Sequence, residues 1–242
     1  MRYWLVMPAA GTGRRFGQAL PKQYADVSGR AVIEWALDPF LADARCAGVV
    51  VVLAEGDPLW PQVASRLPHA AVAAISTVTG GSERCRSVHN GLLALGGRAA
   101  GQDWVLVHDA ARPCVAARDL DLLLESVGQH PVGGLLAAPA AETLKRAAED
   151  RQIIETVDRC GLWRAQTPQM FRYGLLCDAL GRSLAADRLP TDEAQALEWL
   201  GQRPLIVQGS SSNIKVTTAD DLLVAGALLG ARTRARATGA PE

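Results

Sequence analysis

Apolar residues fall along this chain in short dense runs. Each is followed by a glycine-rich or charged stretch, then by a longer segment whose apolar positions recur every three or four residues. The runs Tyr3–Met7, Val49–Leu53, Val72–Ile75, Trp104–Val107, Gly134–Ala138 and Leu205–Val207 predict β-strands. The run VVVVL is apolar at every position, the pattern of a strand covered on both faces. The segments Ala31–Leu41, Glu83–Leu95, Asp119–Val127, Leu175–Ala185, Asp192–Leu200 and Ala219–Leu229 predict helices. Strands alternating with helices are joined by right-handed crossovers, so the expected fold class is α/β, with a mostly parallel sheet flanked by helices. Ligands of such a sheet sit at the carboxyl ends of its strands.

One stretch breaks the alternation. Residues 139–168 hold two short runs around a polar centre, Ala147–Gln152. Two readings stand: an extended hairpin or arm projecting from the sheet, and an irregular surface excursion. Residues 231–242 carry small and basic side chains without an apolar period and are expected to be a flexible tail.

Length changes this picture little: 242 residues suit one large domain. Charge excludes more. Lys plus Arg number 25 and Asp plus Glu number 25, so nothing global points to nucleic acid or a membrane surface, and any anion site is built locally. No apolar run approaches the roughly 20 residues of a membrane span. Cys46, Cys85, Cys114, Cys160 and Cys177 are scattered without a CxxC pair, and no signal peptide precedes the first strand. They read as reduced thiols of a cytoplasmic protein.

The first strand runs into PAAGTGRRFG. A dinucleotide turn needs G-x-G-x-x-G. Here Gly11 and Gly13 fit, Phe16 occupies the third glycine position, and Pro21 forbids an unbroken helix from the glycines. Ala10 to about Ser28 is therefore a long loop, with backbone N–H groups and three cations, Arg14, Arg15 and Lys22, suited to a triphosphate. The P-loop ending is absent. A merely solvated basic loop is the alternative.

Other stretches carry chemistry. In VLVHDAARP, Asp109 lies just beyond a buried strand, where a carboxylate suits Mg2+, a hard cation; it could equally cap a turn. Arg112 follows at the same mouth, and His108 reads as a structural histidine. In TGGSERCRSV, Gly80 and Gly81 leave room for a flat base, Ser82 is placed to cap the helix that follows, and Arg84, Arg86 and Ser87 are within reach of phosphate or ribose. In SSSNIKVTTADDL, Lys215 is placed in a short strand, where it either snorkels or meets an anion.

Taken together, PAAGTGRRFGQALPKQY, GGSERCRSV, VLVHDAARP, ETLKR, TVDRCGLWRAQTPQMF, TDEAQALE and NIKVTTADDL, in that order across residues 4–229, resemble the 2-C-methyl-D-erythritol 4-phosphate cytidylyltransferases. The resemblance implies a Rossmann-like nucleotidyltransferase fold in a single domain over residues 1–230. It implies a homodimer formed through the arm, and transfer from CTP to the substrate phosphate with release of pyrophosphate. Arg15, Lys22 and Lys215 would be catalytic. Ala9, Ala10, Gly11, Gly13, Gly80, Gly81, Arg84 and Ser87 would bind CTP. Asp109, Arg112, Thr143, Arg159 and Thr191 would bind the polyol phosphate, with Thr143 and Arg159 entering the neighbouring subunit's site. The cofactor implied is Mg2+, held by the CTP phosphates with Asp109 as the one possible protein ligand. Ser82 stands where relatives often carry Asp, so a side-chain contact to the base from that position is not carried over. A ribitol 5-phosphate cytidylyltransferase and a noncatalytic nucleotide-binding protein are the competing readings.

Overall fold

The computed structural model describes residues 1–11 and 20–238. In chain order the elements are β1 (Tyr3–Pro8), a single 3-10 turn (Lys22–Tyr24), β2 (Asp26–Val27), β3 (Arg30–Ala31), α1 (Val32–Leu41) and β4 (Cys46–Leu53). Then come α2 (Trp60–Arg66), α3 (His69–Ala73), β5 (Ile75–Thr79), α4 (Arg84–Leu93), β6 (Trp104–Val107), α5 (Ala117–Val127) and β7 (Gly133–Pro139). The chain closes with β8 (Leu144–Ala147), β9 (Ile153–Val157), β10 (Trp163–Arg172), α6 (Tyr173–Ala185), α7 (Glu193–Glu198), β11 (Leu205–Gln208) and α8 (Ala219–Thr238).

Seven strands form one sheet in the order β11-β7-β10-β6-β1-β4-β5. Six run parallel, and β10 alone is antiparallel to both its neighbours. Alternation along the central strands divides the core. Leu5, Met7, Val49 and Val51 pack with Leu37 and Phe40 of α1, Val63 of α2 and Leu120 and Leu123 of α5. Val6, Val50, Val52, Val105 and Val107 face Val88 and Leu92 of α4, Leu176 and Leu180 of α6 and Leu197 of α7. Each fully buried side chain of this size contributes about 1.5–3 kcal/mol, so the continuous apolar runs are what hold three layers together. A third, smaller cluster seats α8: Ala225 and Leu229 pack on Val27, Val32, Cys114 and Val216.

The expected parallel α/β sheet is present, with several differences in its parts. Val72 lies in α3, and the strand begins at Ile75 and runs to Thr79. The alanines of His69–Ala73 favour helix, whereas ISTVT is largely β-branched. The stretch read as the end of the arm is instead β10, a central strand. Its sequence, WRAQTPQMFR, shows no clean alternation because the ladder is interrupted between Ala165 and Gln169, where Pro168 sits without a missing partner. Lys215 is in a loop rather than a strand, tied to the fold beside it by Val216 N–H on the Ala111 carbonyl at 2.8 Å. The basic segment expected to be a flexible tail continues α8 as helix to Thr238, as its many Arg and Ala residues favour. Ser82 does not cap α4: Glu83 is the N-cap residue, and no side chain bonds the first turn there.

Between β7 and β10 the chain makes the projecting hairpin. β8 and β9 pair antiparallel, with Arg146 opposite Glu155 and Lys145 opposite Thr156. These pairs bond across the ladder, Arg146 Nε to Glu155 at 2.6 Å and Lys145 Nζ to Thr156 Oγ1 at 2.6 Å. Ile153 and Ile154 are 65% and 63% exposed, so within one chain the arm has no covered face.

Candidate active site

The site assembles at the carboxyl edge of the sheet, where β1, β5, β6 and the loop after β11 end together. Ala9 N–H bonds the Val52 carbonyl at 2.7 Å and Gly80 N–H bonds the Leu53 carbonyl at 2.8 Å, so the loops leaving β1 and β5 meet over the end of β4. They touch closely. A Cβ on Gly80 would lie 2.5 Å from Ala10 Cβ and 2.7 Å from Ser87 Oγ, which explains why only glycine fits there. Gly81 N–H donates to Ser87 Oγ at 3.1 Å, folding the turn onto the first turn of α4. Gln23, buried just after Lys22, donates from Nε2 to the carbonyls of Ala9 (2.7 Å) and Gly11 (3.0 Å) and so fixes where the opening loop leaves the sheet. Gly13 and Arg15 lie outside the described residues.

Asp109, directly after β6, is the electrostatic centre. It is only 6% exposed, yet carries three cations: Arg84 Nε on Oδ1 at 2.9 Å, Lys215 Nζ on Oδ2 at 2.7 Å and Arg112 Nε at 3.8 Å from Oδ2. Burial alone would raise its pKa. Arg84, Lys215 and Arg112 overcome that and hold the carboxyl well below the usual range, so it is ionised at neutral pH. Arg84 is shared: its Nη1 and Nη2 reach Glu193 Oε1 and Oε2 at 2.7 and 3.1 Å. Glu193 is fully buried, and burial raises its pKa against the pull of Arg84.

Backbone and neutral groups hold this cluster. Asp109 N–H donates to Thr167 Oγ1 at 3.0 Å, and that hydroxyl faces His108 Nδ1 at 3.0 Å. His108 Nε2 lies 3.1 Å from the Arg112 carbonyl, which can only accept, so Nε2 carries the proton and Nδ1 accepts from Thr167. Burial pushes the His108 pKa down to about 4, keeping the ring neutral as this pattern requires. Arg112 donates to the carbonyls of Asn213 (2.7 Å) and Ala165 (3.3 Å), and Asn213 Nδ2 donates to the Thr167 carbonyl at 2.8 Å. These bonds clamp the loop that delivers Lys215.

The predicted residues therefore divide. Ala9, Ala10, Gly11, Gly80, Gly81 and Ser87 form one contiguous rim, and Asp109, Arg112 and Lys215 form a second, with Arg84 between them. Lys22 starts the 3-10 turn behind the first rim. Thr191 is exposed on the loop before Glu193, where its N–H bonds Gln195 Oε1 at 2.8 Å. Thr143 and Arg159 are exposed on the arm, and Arg159 Nη1 bonds the Ala141 carbonyl of its own chain. Neither is a partner of Asp109 within one chain. Gln23, Thr167, Glu193 and Asn213 were not singled out from sequence. A cavity of about 890 Å³ opens elsewhere, between α1, the start of β4 and α5, and none of the predicted site residues lines it.

Among the described residues no three His, Cys, Asp or Glu side chains are grouped to hold a metal. Both Asp109 oxygens already accept from cations. Asp109 is engaged by three cations, and no further carboxylates are grouped with it among the described residues to build a protein Mg2+ cage.

The chain that carries this rim, cation cluster and arm matches a known family over nearly its whole length. The model of 2-C-methyl-D-erythritol 4-phosphate cytidylyltransferase matches residues 3–231. The chain belongs to this family. A relative of that name from Pseudomonas putida strain F1 is 51% identical over 221 residues, covering 91% of this chain and 92% of its own. One from Pseudomonas aeruginosa PAO1 is 51% identical over 224 residues, covering 91% and 93%. Among solved cytidylyltransferase structures, that from Francisella tularensis is 33% identical with a TM-score of 0.78, covering 94% of this chain and all of the other. A 4-diphosphocytidyl-2C-methyl-D-erythritol synthase crystal structure, 38% identical with a TM-score of 0.81, covers 94% and 99%. The Rossmann-like nucleotidyltransferase fold expected of the family is thus the fold of this chain.

Proposed function

We infer that the carboxyl edge of the sheet joins CTP to 2-C-methyl-D-erythritol 4-phosphate, giving 4-diphosphocytidyl-2-C-methyl-D-erythritol and pyrophosphate. The chain is a nucleotidyltransferase of the cytidylyltransferase family. The observation that carries the residue-level reading is the packing of the Gly80–Gly81 rim against the first loop, beside a cluster in which three cations face two carboxylates.

In the reaction a phosphate oxygen of the polyol phosphate attacks the α-phosphorus of CTP. The new oxygen–phosphorus bond forms as the bond to the β-phosphate oxygen breaks, and pyrophosphate leaves with that electron pair. A phosphate monoester is already ionised near neutral pH, so no strong general base is required, in keeping with a site whose histidine is buried, neutral and fully bonded. The protein's work is to bring two anions together and to stabilise charge on the α-phosphate and leaving group. Arg15, Lys22 and Lys215 are assigned that work. The Ala9–Gly11 and Gly80–Gly81 backbone is assigned to CTP, and Asp109 and Arg112, with Thr191, to the polyol phosphate.

Mg2+, when bound, neutralises phosphate charge. We assign it to the triphosphate oxygens rather than to a cage of side chains, as its preference for phosphate and water ligands supports. We also propose a homodimer in which Thr143 and Arg159 of each arm complete the other subunit's substrate site. The fully exposed arm, with its apolar Ile153 and Ile154, supports this reading. A cytoplasmic location is consistent with five free cysteines and with the lack, among the described residues, of a helix long and apolar enough to cross a membrane.

The test is pyrophosphate release with CTP and either 2-C-methyl-D-erythritol 4-phosphate or ribitol 5-phosphate. Turnover with the first and none with the second is expected. The reverse preference would replace the assigned substrate, and no turnover with either would leave only nucleotide binding.

A further inference from the structure

We propose that Glu193 is a positioning residue for the polyol-phosphate half of the site, acting through Arg84 on Asp109 and so on Lys215. The inference rests on the reading of Asp109 and Lys215 as substrate-facing groups.

The four side chains form a line of alternating charge. Glu193 grips both terminal nitrogens of Arg84 at 2.7 and 3.1 Å. A paired fork of this kind fixes the plane of the guanidinium, and with it the direction of the remaining Nε–H. That Nε–H meets Oδ1 of Asp109 at 2.9 Å, which leaves Oδ2 for Lys215 at 2.7 Å. The orientation of one carboxylate thus sets where the Lys215 ammonium stands. Three of the five Arg84 N–H groups are committed to this line, although the family resemblance places the residue with the nucleotide.

The line is anchored at its far end. Glu193 is the first residue of α7, and Gln169 of the central strand β10 straddles that helix start. Its Nε2 donates to Asp192 Oδ2 at 3.0 Å, and its Oε1 accepts from Ala194 N–H at 3.0 Å. Asp192 in turn caps the helix through Gln195 N–H at 2.9 Å. Glu193 is therefore held against the sheet from both sides in sequence. A buried ion pair is weak evidence for stability, since well-packed apolar residues serve as well or better. A chain of them that starts on a fixed strand and ends at a half-exposed lysine in the site has orientation as its product.

The experiment compares Glu193→Gln, Lys215→Ala and the double variant by steady-state kinetics in both substrates. Glu193→Gln keeps the side-chain shape but presents an N–H to a guanidinium N–H, breaking the fork. The expected result is a rise of roughly tenfold to a hundredfold in KM for the polyol phosphate, with KM for CTP within about twofold. In the Lys215→Ala background the same change should add far less than its separate effect, because both act through one pair. An altered KM for CTP instead, or fully multiplicative effects, would overturn the proposal. If Lys215→Ala itself leaves both kcat and the polyol-phosphate KM unchanged, the reading of the site fails and the proposal with it. If Lys215→Ala lowers kcat or raises that KM and Glu193→Gln leaves the KM unchanged, the positioning role alone fails. Arg84→Lys, which leaves Glu193 a charged partner but no fork, should reproduce the same split should Glu193→Gln fold poorly.

Discussion

The Nζ of Lys215 lies 2.7 Å from Oδ2 of Asp109, although one residue follows the edge strand β11 and the other the central strand β6. The lysine side chain is 36% exposed and the aspartate 9%, so the pair presents its positive end outward. Asp109 keeps Arg84 at 2.9 Å when the lysine is removed, and its buried charge remains compensated. Lys215→Ala is therefore expected to fold with a near-normal melting temperature and to lose about 10²–10³ in kcat. Steady-state pyrophosphate release beside a thermal melt checks this, and a folded variant with normal kcat would remove Lys215 from the catalytic set.

Gly80→Ala tests the nucleotide rim. A Cβ there meets Ala10 Cβ at 2.5 Å and Ser87 Oγ at 2.7 Å, so the two loops must separate. Overpacking of this kind costs about 1–3 kcal/mol. We expect a rise in KM for CTP larger than that for the polyol phosphate, measured with each substrate varied in turn. Equal effects on both would mean the rim does not bind the nucleotide selectively.

How much of this was legible in the sequence depends on range. The glycine rim and Asp109 stood out because each directly follows an apolar run, and strand ends are where α/β sheets bind ligands. The roles of Glu193, Thr167 and Asn213 were not readable. Each is set by a partner far away in the chain, Arg84 lying 109 positions from Glu193 and the Thr167 carbonyl 46 from Asn213. An acid at the start of a helix already has a local explanation in the helix dipole. β10 was hidden for a related reason: its central polar residues bond to other elements rather than alternate. Gln169 reaches the start of α7, and Thr167 bonds the loop carrying Asp109.

The buried imidazole sets a pH dependence of stability. The His108 pKa falls from 6.5 to about 4 on folding, so between those values the unfolded chain binds more protons. Stability present above pH 6.5 is lost as the pH falls toward 4, by about 3 kcal/mol for this group. Glu193, raised by burial, contributes with the opposite sign above its ordinary value. The difference between wild type and His108→Gln isolates the histidine: denaturant melts at pH 7, 6, 5 and 4.5 should show a shallower acid loss in the variant. Parallel losses would show that His108 stays neutral for no energetic reason.

The arm is tested by mixing. Lys22→Ala and Arg159→Ala lesions on different subunits leave one intact site if the arm acts in trans, and the other site then carries both. Random exchange of equal amounts makes half the dimers mixed, so activity should recover to about a quarter of wild type. The measurement is pyrophosphate release after co-expression. No recovery in confirmed mixed dimers would place Arg159 within its own subunit's function.

The arm leaves the sheet from β7 and returns on β10, and these are adjacent strands: Trp163 pairs with Pro139, and Ala140 N–H bonds the Leu162 carbonyl at 3.0 Å. Its two ends are thus one ladder rung apart, a gap that a tight turn would also close. The hairpin is a detachable cassette. Its length and side chains can change without disturbing the registers of β7 or β10, so the arm can be rebuilt while the carboxyl edge of the sheet keeps its shape.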